Sequence, residues 1–442
     1  MRAMTFLRYP AYKDSGVEWL GEIPAHWETL QLKRRLYFDV GWTPPTGQSE
    51  YFDGDLPWAN ISDLGPHTIT QTAKSISLLA VKVARLSLIP KGSLLFSFKL
   101  SIGQVSFAGI DLYSNEAIAA FPPQPDVDLR FMYYALPLYA VQNANENIYG
   151  AKLLNQDLIK NACILDVPLI EQHAIAAFLD AETARIDTLV AKQVSLIATL
   201  QEKRRALISH VVTKGLDPAA PMKDSGVPWL GEVPKHWEVK AIKWLSPVQR
   251  GASPRPIDDP KYFDDEGEYA WVRIADVTAA EDGYLRITTQ RLSPLGSSLS
   301  VKLDPGALFL SIAGSVGKPC ISCIKACIHD GFVYFPHLRE NNKFLFYIFE
   351  AGTAFQGLGK LGTQLNLNTD TVGSIRIGVP PKVEQDAIVA FIERESDRVD
   401  TLITKSQEMI AVLREHRTAL VAAAVTGQID VREPSRESGR IK

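Results

Sequence analysis

The densest grouping of metal-ligand residue types is Cys320-x2-Cys323-x3-Cys327-x-His329, a set of thiols and an imidazole of the kind that structural zinc takes. The stretch is apolar and strand-like. The chain is also written twice (below), and the matching positions of the first half are Ser106, Gly109, Tyr113 and Asn115, which could not hold zinc as a set. Buried cysteines in strands are therefore the expectation, with no metal. Gly357-x-Gly359-x-x-Gly362 spells a dinucleotide fingerprint, but it follows a helix-like stretch and no strand–helix–strand unit surrounds it. The sequence has no G-x-x-x-x-G-K-[ST] loop for nucleotide phosphates and no Asn-Pro-Pro-[Phe/Tyr] or Asp-Pro-Pro-Tyr tetrapeptide. The expectation is a chain with no catalytic residues and no cofactor of its own.

What remains are small, polar and cationic residues in Gly-punctuated loops. Ala313-Gly314-Ser315-Val316-Gly317-Lys318 permits close backbone approach and ends on a cation; its counterpart is Lys99-Leu100-Ser101-Ile102-Gly103-Gln104. A second loop, with Gln364 and Asn366, pairs with a segment carrying Lys152 and Asn155. Gln and Asn can contact adenine bidentately, and Lys can contact guanine or phosphate. The competing reading is ordinary turn chemistry with solvated charges. Arg250, Arg255 and Arg273, with Lys33, Arg34 and Arg35, are weaker candidates for the same kind of contact.

The elements that must position these loops come as a repeat. KDSGVEWLGEIPAHWE, residues 13–28, returns as KDSGVPWLGEVPKHWE, residues 223–238, with 13 of 16 positions identical. Residues 171–217 return as 384–430 with 22 of 47 identical. Between these blocks the halves diverge, yet Trp58 and Asp63 match Trp271 and Asp276, Gly92 and Gly103 match Gly306 and Gly317, and Leu154-Asn155-x-Asp157 matches Leu367-Asn368-x-Asp370. The variable blocks read as mixed α/β, with strands near 92–98 and 306–312 and helices near 130–141 and 342–351. Trp19, Trp27, Trp229 and Trp237, present in both copies, are expected to anchor the lead-in segment rather than stack on bases.

The shared C-terminal blocks have the three/four spacing of a helical seam. The expected seam is Ile175, Leu179, Ile186, Leu189, Leu196, Leu200 and Leu207 in the first copy, and Ile388, Ile392, Val399, Leu402, Met409, Leu413 and Leu420 in the second. Polar pairs interrupt it at Glu182 and Glu395, Gln193 and Ser406, and Lys203 and His416. Pro168 and Pro381 stand where the helices start, and Gly215 and Gly427 close them. The fold expected is α+β: two mixed α/β domains separated by two long antiparallel helices forming a coiled coil, as a pseudo-two-fold tandem repeat. Its layout is a first domain over 1–166, a first spacer helix over 167–215, a second domain over 216–379, a second spacer helix over 380–428 and a disordered tail over 429–442.

The net charge is −3, so positive charge must be clustered, or shared with a partner, if the chain binds nucleic acid. Residues 29–165 hold 11 basic and 11 acidic side chains, and residues 239–378 hold 15 and 14. No apolar run has the length of a membrane span, and four cysteines in 442 residues are not a disulfide framework. A cytoplasmic protein without membrane contact is expected. Two similar readers in one chain match the two-fold relationship of DNA strands; a protein-interaction scaffold on a coiled-coil spacer satisfies the same geometry.

The chain resembles the specificity subunit of type I restriction–modification enzymes. The resemblance rests on KDSGVxWLGExPxHWE in both halves, on VPLIEQ (167–172) and PPKVEQ (380–385) leading into the helices, and on GALFLSIAGSVGK (306–318) and GTQLNLN (362–368). It implies two target-recognition domains that read a bipartite, asymmetric site in double-stranded DNA, and helices that dock two adenine-N6 methyltransferase (modification) subunits. It also implies restriction subunits that translocate and cut, so that S-adenosylmethionine, ATP and Mg are expected on the partners. A related system with modification and cleavage fused in one partner fits the same residues.

Overall fold

Residues 7–280, 282–356, 358 and 367–432 are described in the computed structural model. They fall into two units, Met1–Lys192 with Glu408–Lys442, and Gln193–Gln407. The class is α+β, and among the described residues no helix is long and apolar enough to cross a membrane.

In the first unit the lead-in motif forms a small hairpin, Tyr12–Asp14 against Glu22–Pro24. Strand Glu28–Gln31 then pairs antiparallel with Cys163–Asp166, which runs into the first long helix. The intervening block builds a five-stranded sheet in the order Asp39–Val40, Ile118–Phe121, Leu94–Ser97, Val105–Ala108, Thr68–Ile69. A second sheet holds Tyr113–Ser114, Leu56–Ala59 and Lys74–Ile76. The central strand is buried at all four residues, because alternate side chains leave opposite faces. Leu94 and Phe96 enter the core shared with helix Leu129–Gln142 and the long helices, and Leu95 enters the core between the sheets.

The second unit repeats the plan. Its five-stranded sheet runs Gln249–Arg250, Phe332–Tyr334, Leu308–Ser311, Pro319–Ser322, Tyr284–Leu285. Leu308 and Leu310 face one core and Phe309 the other. The second sheet here has four strands, gaining Val301–Leu303 on Ala326–Ile328; the first unit keeps only the bridge Ile89–Leu112 at that edge. Matched Trp58 and Trp271 are buried, and matched Asp63 and Asp276 each accept from the backbone N–H three residues back, Asn60 at 2.9 Å and Arg273 at 2.8 Å.

The long helices are Leu169–Lys214 and Lys382–Val425. Each unit packs the early part of one against the late part of the other, an antiparallel arrangement. Their starts are locked to the lead-in motif. The indole N–H of Trp27 donates to Glu171 Oε2 (3.1 Å), and that of Trp237 to Glu384 Oε1 (3.0 Å). His26 and His236 contact the remaining oxygens at 2.7 Å. The next residue, Gln172 or Gln385, accepts from the N–H of Asp128 or Asn341 and donates to the carbonyl of Val167 or Pro380. The helix ends close on Gly215 and Gly427, both at positive φ. Gly427 has a second reason to be glycine: a Cβ there would meet Pro24 at 2.4 Å and Trp27 at 2.7 Å.

The expected seam needs correction at three places. Leu196, Leu402 and Met409 are exposed at 44%, 49% and 42%. The buried and half-buried stripe runs one residue away, through Ile197, Ile403 and Ile410. Leu179, Ile186, Ile392, Leu413 and Leu420 are buried, and Leu189, Leu200, Leu207 and Val399 half-buried. The stripe keeps an unbroken heptad on the second helix only if Ser396, Ser406 and Arg417 are counted in it, and on the first only with Thr183, Gln193 and Arg204. Apolar spacing alone passes over these polar members. Lys203 and His416 likewise point out, and the inward cations are Arg204 and Arg417. Residues 429–432, placed in the tail by sequence, are tied down: Asp430 N–H donates to Leu7 O at 2.8 Å.

Candidate nucleic-acid interface

In the second unit the loop between strands Leu308–Ser311 and Pro319–Ser322 holds Gly314, Ser315 and Lys318. Gly314 and Gly317 take positive φ, and the Ser311 hydroxyl donates to Ser315 O, closing the turn. The loop leans on helix Ile274–Ala279: Ser315 Oγ lies 3.1 Å from Thr278 Oγ1, and Lys318 Nζ donates to Thr278 O at 3.0 Å. Arg273 stands at the N-terminal end of that helix and donates to Gln290. From the start of the same loop, Ile312 N–H donates to Gly331 O at 2.8 Å.

The residue before Gly331 gathers the other arginines. Arg255 Nη2 pairs with Asp330 Oδ2 at 2.9 Å, Ser253 Oγ donates to Asp330 Oδ1 at 2.9 Å, and Arg250 Nε donates to Asp330 O. Burial works against the Asp330 carboxylate, but the Ser253 hydroxyl and the two guanidiniums outweigh it and hold the group below the usual range. Burial, with the charges of Arg250 and Arg273, pushes the neighbouring His329 imidazole down. The structure therefore ties the loop of Gly314, Ser315 and Lys318 both to the helix that Arg273 begins and to the turn that Arg250 and Arg255 hold.

In the first unit the equivalent loop carries Lys99, Ser101 and Gln104. Ser101 adopts φ 48°, one of two non-glycine residues at positive φ among the described residues, and the Ser97 hydroxyl donates to Leu100 O. Lys99 Nζ lies 3.8 Å from Glu116 Oε1, and Thr43 donates to the other oxygen of the same carboxylate. Burial raises the pKa of Glu116, but the Thr43 hydroxyl and the Lys99 charge bring it below its ordinary value.

Lys152 is elsewhere, exposed on the hairpin Asn145–Glu146/Lys152–Leu153 beside a tip where Ile148 and Tyr149 are 91% and 87% exposed. Asn155 Oδ1 accepts Leu158 N–H at 2.8 Å and caps helix Gln156–Lys160, as Asn368 caps Thr369–Ser374. Gln364, Asn366 and the glycines 357, 359 and 362 lie outside the described residues. Lys33 donates to Asn161, and Arg35 pairs with Asp166, so both are engaged within the domain. Trp27 and Trp237 are fully buried anchors. Cys320 and Cys327 sit in two different apolar cores while Cys323 is exposed. Burial raises the two buried thiols to about 12 and about 11.

Sequence reasoning missed Thr43, Glu116, Ser253 and Asp330. A signal existed: a hydroxyl residue recurs at an offset of 210 and a carboxylate at 214, in blocks otherwise diverged.

The profile of the family described as "Type I restriction modification DNA specificity domain" matches twice, over residues 24–196 and 234–411. The chain belongs to this family. Each match begins inside the lead-in motif and ends within a long helix, so both specificity domains contain the loop, carboxylate and cations just described. The chain is 25% identical over 431 residues to the type I restriction enzyme MjaIX specificity subunit of Methanocaldococcus jannaschii, covering 94% of this chain and 96% of that one. It is 28% identical over 115 residues to the HindI specificity subunit of Haemophilus influenzae, covering 26% and 25%. The fold resembles a chain of the solved structure described as "Structural basis underlying complex assembly and conformational transition of the type I R-M system" (TM-score 0.71, 16% identity, 91% and 98% covered). It also resembles the HsdS subunit from Thermoanaerobacter tengcongensis (TM-score 0.54, 16% identity, 92% and 98% covered).

Proposed function

We infer that this chain is the non-catalytic specificity subunit of a type I restriction–modification system and that each of its two domains reads one half of a bipartite DNA site. One observation carries the reading: the same sheet order appears twice, with a different set of cations at the same place in each copy. Shared framework with diverged polar contacts is what two readers of unlike half-sites require, because phosphate contacts position a protein and base-edge contacts specify the sequence. Near-neutral blocks fit a reader whose partners share the phosphate contacts.

The partners proposed are double-stranded DNA, two methyltransferase subunits and restriction/translocase subunits, in the cytoplasm. S-adenosylmethionine, ATP and Mg would belong to those partners. Val194, Leu196, Leu402, Met409 and Val412, large apolar residues exposed on the long helices, support docking of the methyltransferase there.

The test is a block exchange. Residues 29–165 are replaced by the corresponding block of a relative, the chain is co-expressed with methyltransferase subunits, and methylated adenines are mapped. One half-site changes and the other persists. A simultaneous change in both, or methylation without sequence preference, rejects the reading.

A further inference from the structure

Both domains place a carboxylate where a DNA-facing surface would least favour one. Glu116 and Asp330 are equivalent at an offset of 214, and their side chains remain 45% and 39% exposed. An exposed carboxylate repels phosphate and lowers affinity for any DNA. Its recurrence in two otherwise diverged blocks calls for a compensating role.

The frame around it is the same in both copies. Gly41 and Gly251 bring one strand so close that a Cβ would fall 1.7 Å from Ser114 O or 2.2 Å from His329 O. Trp42 N–H donates to Ser114 O (2.9 Å) and Ala252 N–H to Ile328 O (3.1 Å). The residue before the acid turns the chain with its own side chain: Asn115 Oδ1 accepts from Ala117 N at 3.1 Å, and His329 Nδ1 from Gly331 N at 2.7 Å. The residue after the acid ties the turn to the Gly-rich loop, through Phe98 N–H to Ala117 O (3.0 Å) and Ile312 N–H to Gly331 O (2.8 Å). A hydroxyl, Thr43 or Ser253, donates to one carboxylate oxygen and fixes its orientation.

The cations do not share positions. Lys99 comes from the Gly-rich loop, where the second copy has Ala313. Arg250 and Arg255 come from the segment after the lead-in, where the first copy has Val40 and Pro45. They nevertheless reach the same place: Lys99 and Arg255 contact the carboxylate side chain, and Arg250 the backbone carbonyl of the same residue. Arg255 keeps 70% of its side chain exposed and Lys99 49%, so each cation is paired with the framework residue and still open to solvent.

We propose that Glu116 and Asp330 are positioning residues, a framework carboxylate in each domain that orients a variable cation for base reading. The role rests on the two-reader function inferred above and names how each reader is set. A long cationic side chain loses rotamer freedom when it engages a base, and a fixed carboxylate removes part of that loss in advance. The acid sacrifices phosphate attraction and gains discrimination.

The experiment uses the full chain assembled with its methyltransferase subunits and measures binding to duplexes altered in one half-site, across a salt series. The half-site of the second domain is the one changed by exchanging residues 239–378. Asp330→Asn is expected to lower discrimination at that half-site by about tenfold, the scale of one base-reading contact. Discrimination at the other half-site should hold, and non-specific DNA should bind as tightly or more tightly with the same salt slope. Glu116→Gln should give the mirror result. A purely structural role would weaken specific and non-specific binding together, and that outcome overturns the proposal, as does unaltered discrimination. Should Asp330→Asn fail to fold, Arg255→Lys replaces it: the charge and salt slope stay but the guanidinium contact with Asp330 Oδ2 goes, so discrimination should fall, and wild-type discrimination would refute the idea. If the wild-type complex shows no preference for any bipartite duplex, the two-reader function itself is wrong; if it does and Asp330→Asn matches it, only the positioning role is.

Discussion

Arg204 Nη1 lies 2.9 Å from Asp400 Oδ1. The same two positions 213 residues away by sequence, Arg417 and Asp187, meet at 3.3 Å. In one pair the first long helix supplies the cation and in the other the second does, as equivalent antiparallel helices require. The guanidinium stems lie within the seam: Arg204 Nε is buried without a hydrogen-bond partner among the described residues, while Arg417 Nε is itself the atom that faces Asp187. The helix pair is therefore held by a mixed stripe, in which apolar side chains alternate with polar ones whose ends reach out to ion pairs.

That stripe separates residues a heptad count treats alike. Leu413 is 1% exposed and Met409 42%. Leu413→Ala should cost about 2–4 kcal/mol, the usual loss for a buried leucine, and Met409→Ala less than about 0.5 kcal/mol, as expected at the surface. Urea unfolding of the isolated chain measures both. Equal losses would mean that the stripe runs through Met409 after all.

The anchors of the lead-in motif should differ in strength between the copies. The Glu171 side chain is 6% exposed and that of Glu384 27%. Trp27→Phe deprives a nearly buried carboxylate of its indole donor and should cost about 2–3 kcal/mol. Trp237→Phe should cost nearer about 1 kcal/mol, because water can reach Glu384. Denaturant midpoints of the two variants, compared with wild type, test the order.

A third prediction concerns Glu350 on helix Asn342–Glu350. Its Oε2 is buried without a hydrogen-bond partner among the described residues, and burial raises its pKa, with Arg204 opposing and Asp400 adding to the rise. A carboxyl with a raised folded-state pKa carries no penalty at low pH. As pH climbs above the unfolded-state value the unfolded chain ionises first, and the native state loses stability until the folded pKa is passed. Glu350→Gln should therefore raise stability at neutral pH and leave it unchanged near pH 4. A variant less stable than wild type at pH 7 would show that the ionised form is favoured in the fold.

The fourth follows from Tyr12 Oη donating to Gly427 O at 3.0 Å, with the bridge between Leu7 and Asp430 beside it. A short linker from Arg432 to Leu7 should be tolerated. A permuted chain so joined and opened at Pro218, in the exposed turn after the first long helix, should keep the wild-type circular dichroism spectrum and unfold cooperatively. Opening at Thr183, a buried position of the seam, should destroy that behaviour. Identical unfolding of both permutants would discredit the closure at Gly427.

The amino-acid sequence by itself determined the repeat, the lead-in motif and the extent of the long helices. These are local properties: identity at a fixed offset, proline and glycine at helix ends, and a 3.5-residue period summed over many turns. It also marked the central strands, since a four-residue run buried on both faces must be apolar throughout. Tertiary structure decided the rest. The seam passes through Ser396, Ser406, Arg204 and Arg417 because a helix packs whatever side chains its facing stripe presents, and apolar counting shifts to Leu196, Leu402 and Met409. Asn155 caps a helix, a role set by the backbone three residues on rather than by its residue type. Glu116 meets Lys99 while Asp330 meets Arg255 because strands far apart in sequence converge on one turn, and no spacing within either segment encodes which cation will arrive there.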